Sequence, residues 1–202
     1  MGIDEDKRST LRRFAAVGAA SPLTRLAGGD GDGEGGDSDV RDAITGYVTA
    51  TPGAHFSKLR DDLQLGTGET QHHLRRLLDE SAVESERDGD YKRFYPAEHF
   101  SPFEKRALGY LRRETPRGMV VELLHDPDAT AGDLADALGV SPATVSKYAA
   151  QLEDAGVLSR ADGYAVERPE TLVTLLVRYA DSFDANTAQF AGEAADLLSY
   201  DP

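Results

Sequence analysis

One interruption in an otherwise helical pattern constrains this chain more than any other feature. An apolar stripe with helical spacing runs from Leu134 to Leu152 and is broken at Gly139. Ser141 is placed to cap the helix that follows the break. Pro142 takes the first position of that helix, where the missing N–H of proline costs no hydrogen bond. The pattern therefore predicts two short helices that are joined by a tight turn.

The flanks of this pattern predict how it begins and how it continues. Thr130 precedes the first helix, and Asp133 follows three residues later in the arrangement of a capping box. Gly156 terminates the second helix. Short apolar runs then flank the turn dipeptide Asp162-Gly163, which is typical of a small hairpin. A helix, a turn, a helix and a hairpin wing are thus predicted in succession.

A second copy of the pattern lies 75 positions earlier in the sequence. This shift aligns Leu59 with Leu134 and Leu77 with Leu152, and the wing turns at Asp88-Gly89 and at Asp162-Gly163 align within one residue. Periodicity and turn chemistry agree in both copies. The chain is therefore predicted to be mainly α, with small β-hairpin wings, in two tandem domains of one architecture followed by C-terminal helices.

Both copies resemble a known class of regulator. Residues 130–166 resemble the winged helix-turn-helix of transcription regulators, and Ser141–Ser146 is similar to the recognition-helix start of ArsR- and MarR-type families. The order from Val40 to Tyr200 resembles the tandem winged-helix regulators seen in euryarchaea, through the segments 55–60 and 72–77. The resemblance implies a cytoplasmic, sequence-specific regulator of transcription whose second helix enters the major groove of double-stranded DNA.

Four segments are predicted along the chain. Residues 1–39 form a flexible N-terminal arm and an acidic Gly/Asp linker, and residues 40–100 form the first winged domain. Residues 101–168 form a linker helix and the second winged domain, and residues 169–202 form a helical tail. The domain junction is predicted to be short and helical, because helical patterns continue on both sides of it.

The start of the chain combines basic and small apolar residues, which raises the possibility of a twin-arginine export signal. Phe14 directly follows Arg12-Arg13, however, and Ser21-Pro22 interrupts the apolar run. The run is too short for export or for a membrane span. A short amphipathic helix and a loose basic arm are the two remaining interpretations.

The net charge of −14 is unusual for a protein that binds a polyanion. Five lysines stand against seventeen arginines, and this balance suggests an extreme halophile with an acidic, solvated surface. At about 1 M salt the Debye length is only about 3 Å, so a global negative field would barely repel DNA.

The chain contains no cysteine, which excludes disulfides and cysteine-ligated zinc.

The first recognition helix and its wing carry the strongest candidates for DNA contact. Arginine offers a bidentate fork to guanine and glutamine to adenine, whereas wing cations suit phosphate or the minor groove. The alternative is a solvated helix face with charge pairs such as Arg75 with Asp79. The adjacent histidines 72 and 73 point about 100° apart, so they do not predict a metal site. The candidates are Glu69, Gln71, His72, Arg75, Arg76, Arg87, Lys92 and Arg93.

The second recognition helix is much less basic. It predicts DNA contact through hydroxyl and apolar groups, or a purely structural role. Neither domain shows a nucleophile elbow, a phosphate-binding glycine loop or a spaced histidine–carboxylate set, so we expect no enzyme activity and no cofactor. The candidates in this domain are Ser141, Thr144, Ser146, Lys147, Gln151 and Arg160.

The helical tail has more large apolar residues than a small domain is expected to cover, which predicts a homodimer. The alternative is a tail that folds back over the helix at residues 103–111. A second functional reading is a module that docks on proteins of the transcription or chromosome machinery. A third is an effector pocket that gathers Tyr164, Tyr179 and Phe183. The predicted dimer face consists of Leu172, Leu175, Leu176, Tyr179, Phe183, Phe190, Leu197 and Leu198.

Overall fold

The computed structural model describes residues 2–19 and 35–197. The chain divides into two units, Met1–Phe100 (unit 1) and Ser101–Pro202 (unit 2). Both units combine α-helices with short antiparallel strands, which confirms the predicted class: mainly α, with two helix-turn-helix arrangements, small wings and C-terminal helices.

Unit 1 contains a three-stranded antiparallel sheet in the order β1-β3-β2. The hairpin β2–β3 is the first wing, and Gly89 closes it with a φ of 60°, a conformation that glycine adopts without strain. Strand β1 was not predicted, because two residues carry no readable alternation. The elements are α1 (Gly2–Ala19), α2 (Gly35–Ala50), β1 (Ala54–His55), α3 (Phe56–Asp62), α4 (Thr67–Asp79), β2 (Val83–Asp88) and β3 (Tyr91–Pro96).

The core of unit 1 forms where the apolar faces of α2, α3 and α4 meet the sheet. Ile44 and Tyr47 of α2, Leu59 of α3 and Leu74 of α4 are all buried, as the helical periodicity predicts. Helix α2 begins at Gly35, earlier than the predicted start of the folded part. This core holds α4 in place and leaves its opposite face toward solvent.

The basic N-terminal segment is a helix that packs on unit 1. Leu11 and Phe14 of α1 are partly buried against the core. The ring of Phe14 meets that of Tyr47 edge-on at 5.1 Å between centroids. The predicted flexible arm is therefore wrong for residues 2–19, because these apolar residues share a helical face that the core covers. The Gly/Asp-rich residues 28–34 lie outside the described residues.

Unit 2 repeats the two-helix arrangement with the predicted caps. Thr130 Oγ1 accepts from the Asp133 N–H (3.3 Å), and the Asp133 carboxylate accepts from the Thr130 N–H (2.9 Å). The Thr130 hydroxyl also donates to the Asp133 carboxylate (2.6 Å), and this bond, followed by the one from the Thr130 N–H, lowers the pKa of Asp133. Gly139 ends the first helix in the left-handed region, with a φ of 61°. These caps sharpen the turn that positions the second helix.

The tail of unit 2 follows directly after a very short second wing, β4–β5. Helix α9 packs against α5, and α10 packs against α6 and α9. Their bounds, with those of the other elements, are α5 (Pro102–Leu111), α6 (Glu114–His125), α7 (Ala131–Leu138), α8 (Pro142–Asp154), β4 (Leu158–Ser159), β5 (Ala165–Val166), α9 (Pro169–Arg178), a 3-10 turn (Ala180–Ser182) and α10 (Ala185–Leu197).

The predicted dimer face is used inside unit 2. Phe183 is partly buried, and the guanidinium groups of Arg112 and Arg117 lie 4.3 and 5.5 Å from its ring centroid. Leu197 ends α10, and Leu198 lies outside the described residues. The face is therefore not an exposed dimerisation surface, because α5 and α6 already cover it, as the fold-back alternative predicts. The buried members are Leu172, Leu175, Leu176, Tyr179 and Phe190.

A buried arginine ties the tail to the rest of unit 2. Arg117 donates to the Leu111 carbonyl (2.9 Å) and to the Asp184 carboxylate just before α10. Burial acts to raise the pKa of Asp184, but hydrogen bonds from Thr187 and Arg117 outweigh it and hold the pKa below its usual value.

None of the helices within the described residues is long and apolar enough to cross a bilayer.

Candidate nucleic-acid interface

Helix α4, the predicted recognition helix of unit 1, begins with a side chain that caps its own backbone. Glu69, the third residue of the helix, accepts a hydrogen bond from the Gly66 N–H (3.2 Å). Lys7 of α1 also contacts this carboxylate, with 3.4 Å between Nζ and Oε2. Glu69 was predicted as a DNA-contacting residue. Its carboxylate is instead held by these two partners, which favours a structural role.

The two faces of α4 differ sharply in exposure. The inward face is buried because it meets α2 and the wing. His73 lies on this inward face and is only 3% exposed, which agrees with the prediction that it packs and does not read DNA. Its inward neighbours are Thr70, Leu74 and Leu77, and the exposed side chains opposite are Gln71, His72, Arg75 and Arg76.

The two arginines of the exposed face have different partners. Arg76 Nε lies 2.9 Å from Glu80 Oε1, a pair between residues four apart on one helix. Arg75 forms no ion pair with a described residue, so the charge pair with Asp79 that was considered as an alternative is not formed. Arg75 and Gln71, one turn apart, therefore present a guanidinium and an amide side by side to solvent.

The first wing presents two cations opposite each other. Arg87 of β2 is paired in register with Lys92 of β3, and both are exposed. Like charges directly opposite on a hairpin are unfavourable unless an anion lies between them. Tyr91, which was not among the predicted contact residues, precedes Lys92 in β3 and is 48% exposed. Its place beside the Asp88-Gly89 turn was the signal that could have identified it.

Arg93, also predicted to contact DNA, has a different place in the structure. It is 2% exposed. Its Nε donates to Asp88 Oδ2 (2.5 Å), and its Nη1 donates to the Gly53 carbonyl (2.9 Å). The prediction of a DNA contact is therefore wrong for this residue. Strand β1 pairs with β3 at His55↔Arg93. This third strand covers Arg93, which would be exposed in a wing of only two strands.

Replacing Arg93 is expected to destabilise unit 1, whereas replacing Arg87 is not. Arg93→Ala removes the guanidinium that donates to the mostly buried Asp88 carboxylate and to the Gly53 carbonyl, and breaking a buried pair costs about 3–5 kcal/mol. Arg87→Ala removes an exposed cation and is expected to change stability by less than about 0.5 kcal/mol. Urea unfolding of both variants measures the difference. Equal stabilities would contradict the structural role of Arg93.

The recognition helix of unit 2, α8, uses several of its predicted contact residues for its own structure. Ser141 Oγ accepts from the Thr144 N–H (3.2 Å) and lies 2.9 Å from Thr144 Oγ1. Gln151 is partly buried. Ser146 and Lys147 are exposed, and Lys147 forms no ion pair with a described residue.

The predicted wing cation of unit 2 is neutralised by its own domain. Arg160 donates from Nε (2.7 Å) and Nη2 (2.5 Å) to Glu153 Oε2 on α8. This bond raises the pKa of Arg160, with Glu153 as the largest cause. The reading face of unit 2 therefore offers little positive charge to a phosphate backbone.

A cavity of about 320 Å³ lies between the second wing and α9, where an effector pocket was considered. Its lining includes Leu123, Val166 and Val173, with Glu170 as a charged group. Tyr179 and Phe183 do not line it, so the three aromatic residues of that hypothesis do not gather there. Among the described residues, no group of three or more histidine, aspartate or glutamate side chains is arranged to hold a metal ion.

Two family models match the chain. Residues 38–108 match a model described as an N-terminal HTH domain, and residues 112–159 match a model described as winged helix-turn-helix DNA-binding. Neither matched model describes an enzyme. Comparisons with curated proteins and with solved structures gave no significant match.

The matched segments contain α4 and α8, so each model covers one of the two predicted reading heads. Two successive helix-turn-helix domains, the second of a DNA-binding type, support a DNA-binding regulator in general. The chain thus carries a helix-turn-helix domain followed by a winged helix-turn-helix domain, the tandem arrangement that its sequence pattern predicts.

Proposed function

We propose that this protein is a sequence-specific transcriptional regulator and that unit 1 makes its base contacts in the DNA major groove. The observation that carries this proposal is the guanidinium of Arg75, which is exposed on the recognition helix without an ion-pair partner in the described residues. Gln71 lies one turn earlier on the same face. Arginine pairs bidentately with guanine, and glutamine pairs with adenine.

The first wing supports the same proposal. Arg87 and Lys92 are close enough to contact one phosphate or a narrow minor groove, and binding relieves their mutual repulsion. Tyr91, which precedes Lys92 in β3, adds an exposed ring near the tip of the same wing. Unit 1 therefore combines residues that read bases with residues that hold the DNA backbone.

Mapping the genomic sites that a tagged protein occupies is the first test of this function. The purified full chain is then titrated against one mapped site and against a scrambled duplex of equal length. A regulator of this kind binds the mapped site typically about 10³–10⁷ times more tightly. Equal affinities for the two duplexes would contradict sequence-specific binding.

Binding is expected to depend weakly on salt concentration. A protein that neutralises about 6–10 phosphates loses about 10³–10⁵ in affinity between about 50 and 200 mM salt. This chain has few unpaired cations in its interface and a net charge of −14. We expect a shallow or reversed slope of log affinity against log salt from about 0.2 to 2 M potassium chloride. A steep loss of affinity over this range would contradict the prediction.

Unit 2 supports a second function, docking on a protein of the transcription machinery. The specific observation is the ion pair between Arg160 and Glu153, because it neutralises the cation with which a wing would contact DNA phosphates. Lys147→Ala separates the two roles. If unit 2 contacts DNA, this change weakens binding of the mapped site, and if unit 2 docks on protein, the affinity for DNA stays the same.

A further inference from the structure

We infer that helix α1 is a further DNA-contacting element, in which Arg8 and Arg12 bind phosphates beside the recognition helix of unit 1 while Lys7 neutralises Glu69. The inference rests on the proposed function, since it extends the same interface. Helix α1 ends at Ala19 and precedes both matched segments, 38–108 and 112–159. The family models therefore assign it no role.

Packing fixes the orientation of α1 on unit 1. Leu11 and Phe14 lie on one helical face and pack against the core, and Phe14 meets Tyr47 at 5.1 Å. Residues three apart on a helix share a face. The remaining faces of α1 are consequently presented at fixed positions on the surface.

Helix α1 reaches the reading end of the recognition helix. Lys7 Nζ lies 3.4 Å from Oε2 of Glu69, which is the third residue of α4. In helix-turn-helix proteins the N-terminal residues of the recognition helix contact the base edges. The turn of α1 around Lys7 therefore lies beside the end of α4 that approaches DNA.

Two arginines follow Lys7 on the same flank of α1. Arg8 and Arg12 are exposed, lie four residues apart on the same flank of α1, and form no ion pair with a described residue. They line one surface groove together with Leu11, Ala15 and Asp39. Their spacing along the helix axis is about 6 Å. Phosphates along one DNA strand are spaced about 3.4 Å in projection on the duplex axis, so two arginines can contact separate phosphates.

Lys7 belongs to the same surface because it offsets a negative charge there. A carboxylate at the reading end of a recognition helix repels the phosphates that flank the bases it approaches. Glu69 is such a group and is only partly buried, with 36% side-chain exposure. The contact with Lys7 offsets that charge. Helix α1 thus removes a repulsive group from the interface and adds two attractive ones.

The test uses Arg8→Gln combined with Arg12→Gln in the full chain, titrated against the mapped site and the scrambled duplex. Circular dichroism is expected to be unchanged, because both side chains are exposed. Affinity should fall roughly tenfold at about 0.2 M salt on both duplexes alike, and the slope of log affinity against log salt should move by about 2 toward positive values. The control is Arg178→Gln, which removes one exposed cation from α9 in the acidic tail; it should change neither quantity.

The outcomes separate this inference from the proposed function. If the wild-type chain binds the mapped site and the double variant binds it equally well with the same slope, the inference is wrong and the proposed function stands. If the wild-type chain binds no DNA, both are wrong. If the double change abolishes binding to vesicles of anionic phospholipid and leaves DNA binding intact, α1 is a membrane-binding helix and the inference is overturned.

Discussion

Arg75→Ala combined with Arg76→Ala is expected to abolish specific DNA binding while unit 1 stays folded. Both side chains lie on the exposed face of α4, so their removal opens no cavity in the core. Each lost base contact costs about 1–3 kcal/mol. Of the two single changes, Arg75→Ala should weaken binding more than Arg76→Ala, because Arg76 must first leave its ion pair with Glu80 before it can contact a base.

Titration of the mapped and scrambled duplexes measures this effect. The loss should fall on the mapped site much more than on the scrambled duplex, because base contacts carry specificity. Arg178→Ala in α9 removes an exposed arginine outside the interface and should leave binding unchanged. The thermal unfolding of all variants should match that of the wild type. Unchanged binding by the double variant would favour the protein-docking function over the DNA-binding one.

Leu176→Ala is expected to destabilise unit 2 strongly. Leu176 is 0% exposed, and a buried leucine replaced by alanine typically costs about 2–5 kcal/mol, including the cavity that remains. The neighbouring Val177 is 41% exposed, so Val177→Ala is the matched control and should cost less than about 1 kcal/mol. Denaturant unfolding of the full chain measures both. Equal small effects would show that α9 does not belong to the core of unit 2.

Truncation of the chain after Arg168 should have a still larger effect, because it removes α9 and α10 together. Those helices cover α5 and α6, so the shortened chain should lose the unfolding transition of unit 2 or aggregate. Light scattering should show a monomeric intact chain, since the apolar face of the tail is already buried. An intact dimer that becomes a soluble, folded monomer on truncation would contradict this assignment and restore the dimer face.

Local patterns in the sequence determined the repeated architecture. The caps at Thr130 and Ser141, the break at Gly139 and the turn at Asp88-Gly89 act within a few residues, so local sequence alone predicts each of them. The faces of α4 followed from helical periodicity for the same reason, since a period of 3.6 residues assigns every side chain a direction. The exposed placement of Arg75 could therefore be read from the sequence.

Contacts between distant segments decided what periodicity left open. Arg93 follows Lys92 in a basic wing, and only the pairing of β3 with β1, some forty residues earlier, buries it. The apolar face of α9 is the same whether it meets α5 or a second subunit, so only tertiary packing could choose between them. The sequence of the N-terminal segment is compatible with a loose arm and with a helix, and the packing of Phe14 on Tyr47 decides for the helix. Local chemistry specifies elements and their faces, whereas the identity of what covers each face depends on the whole chain.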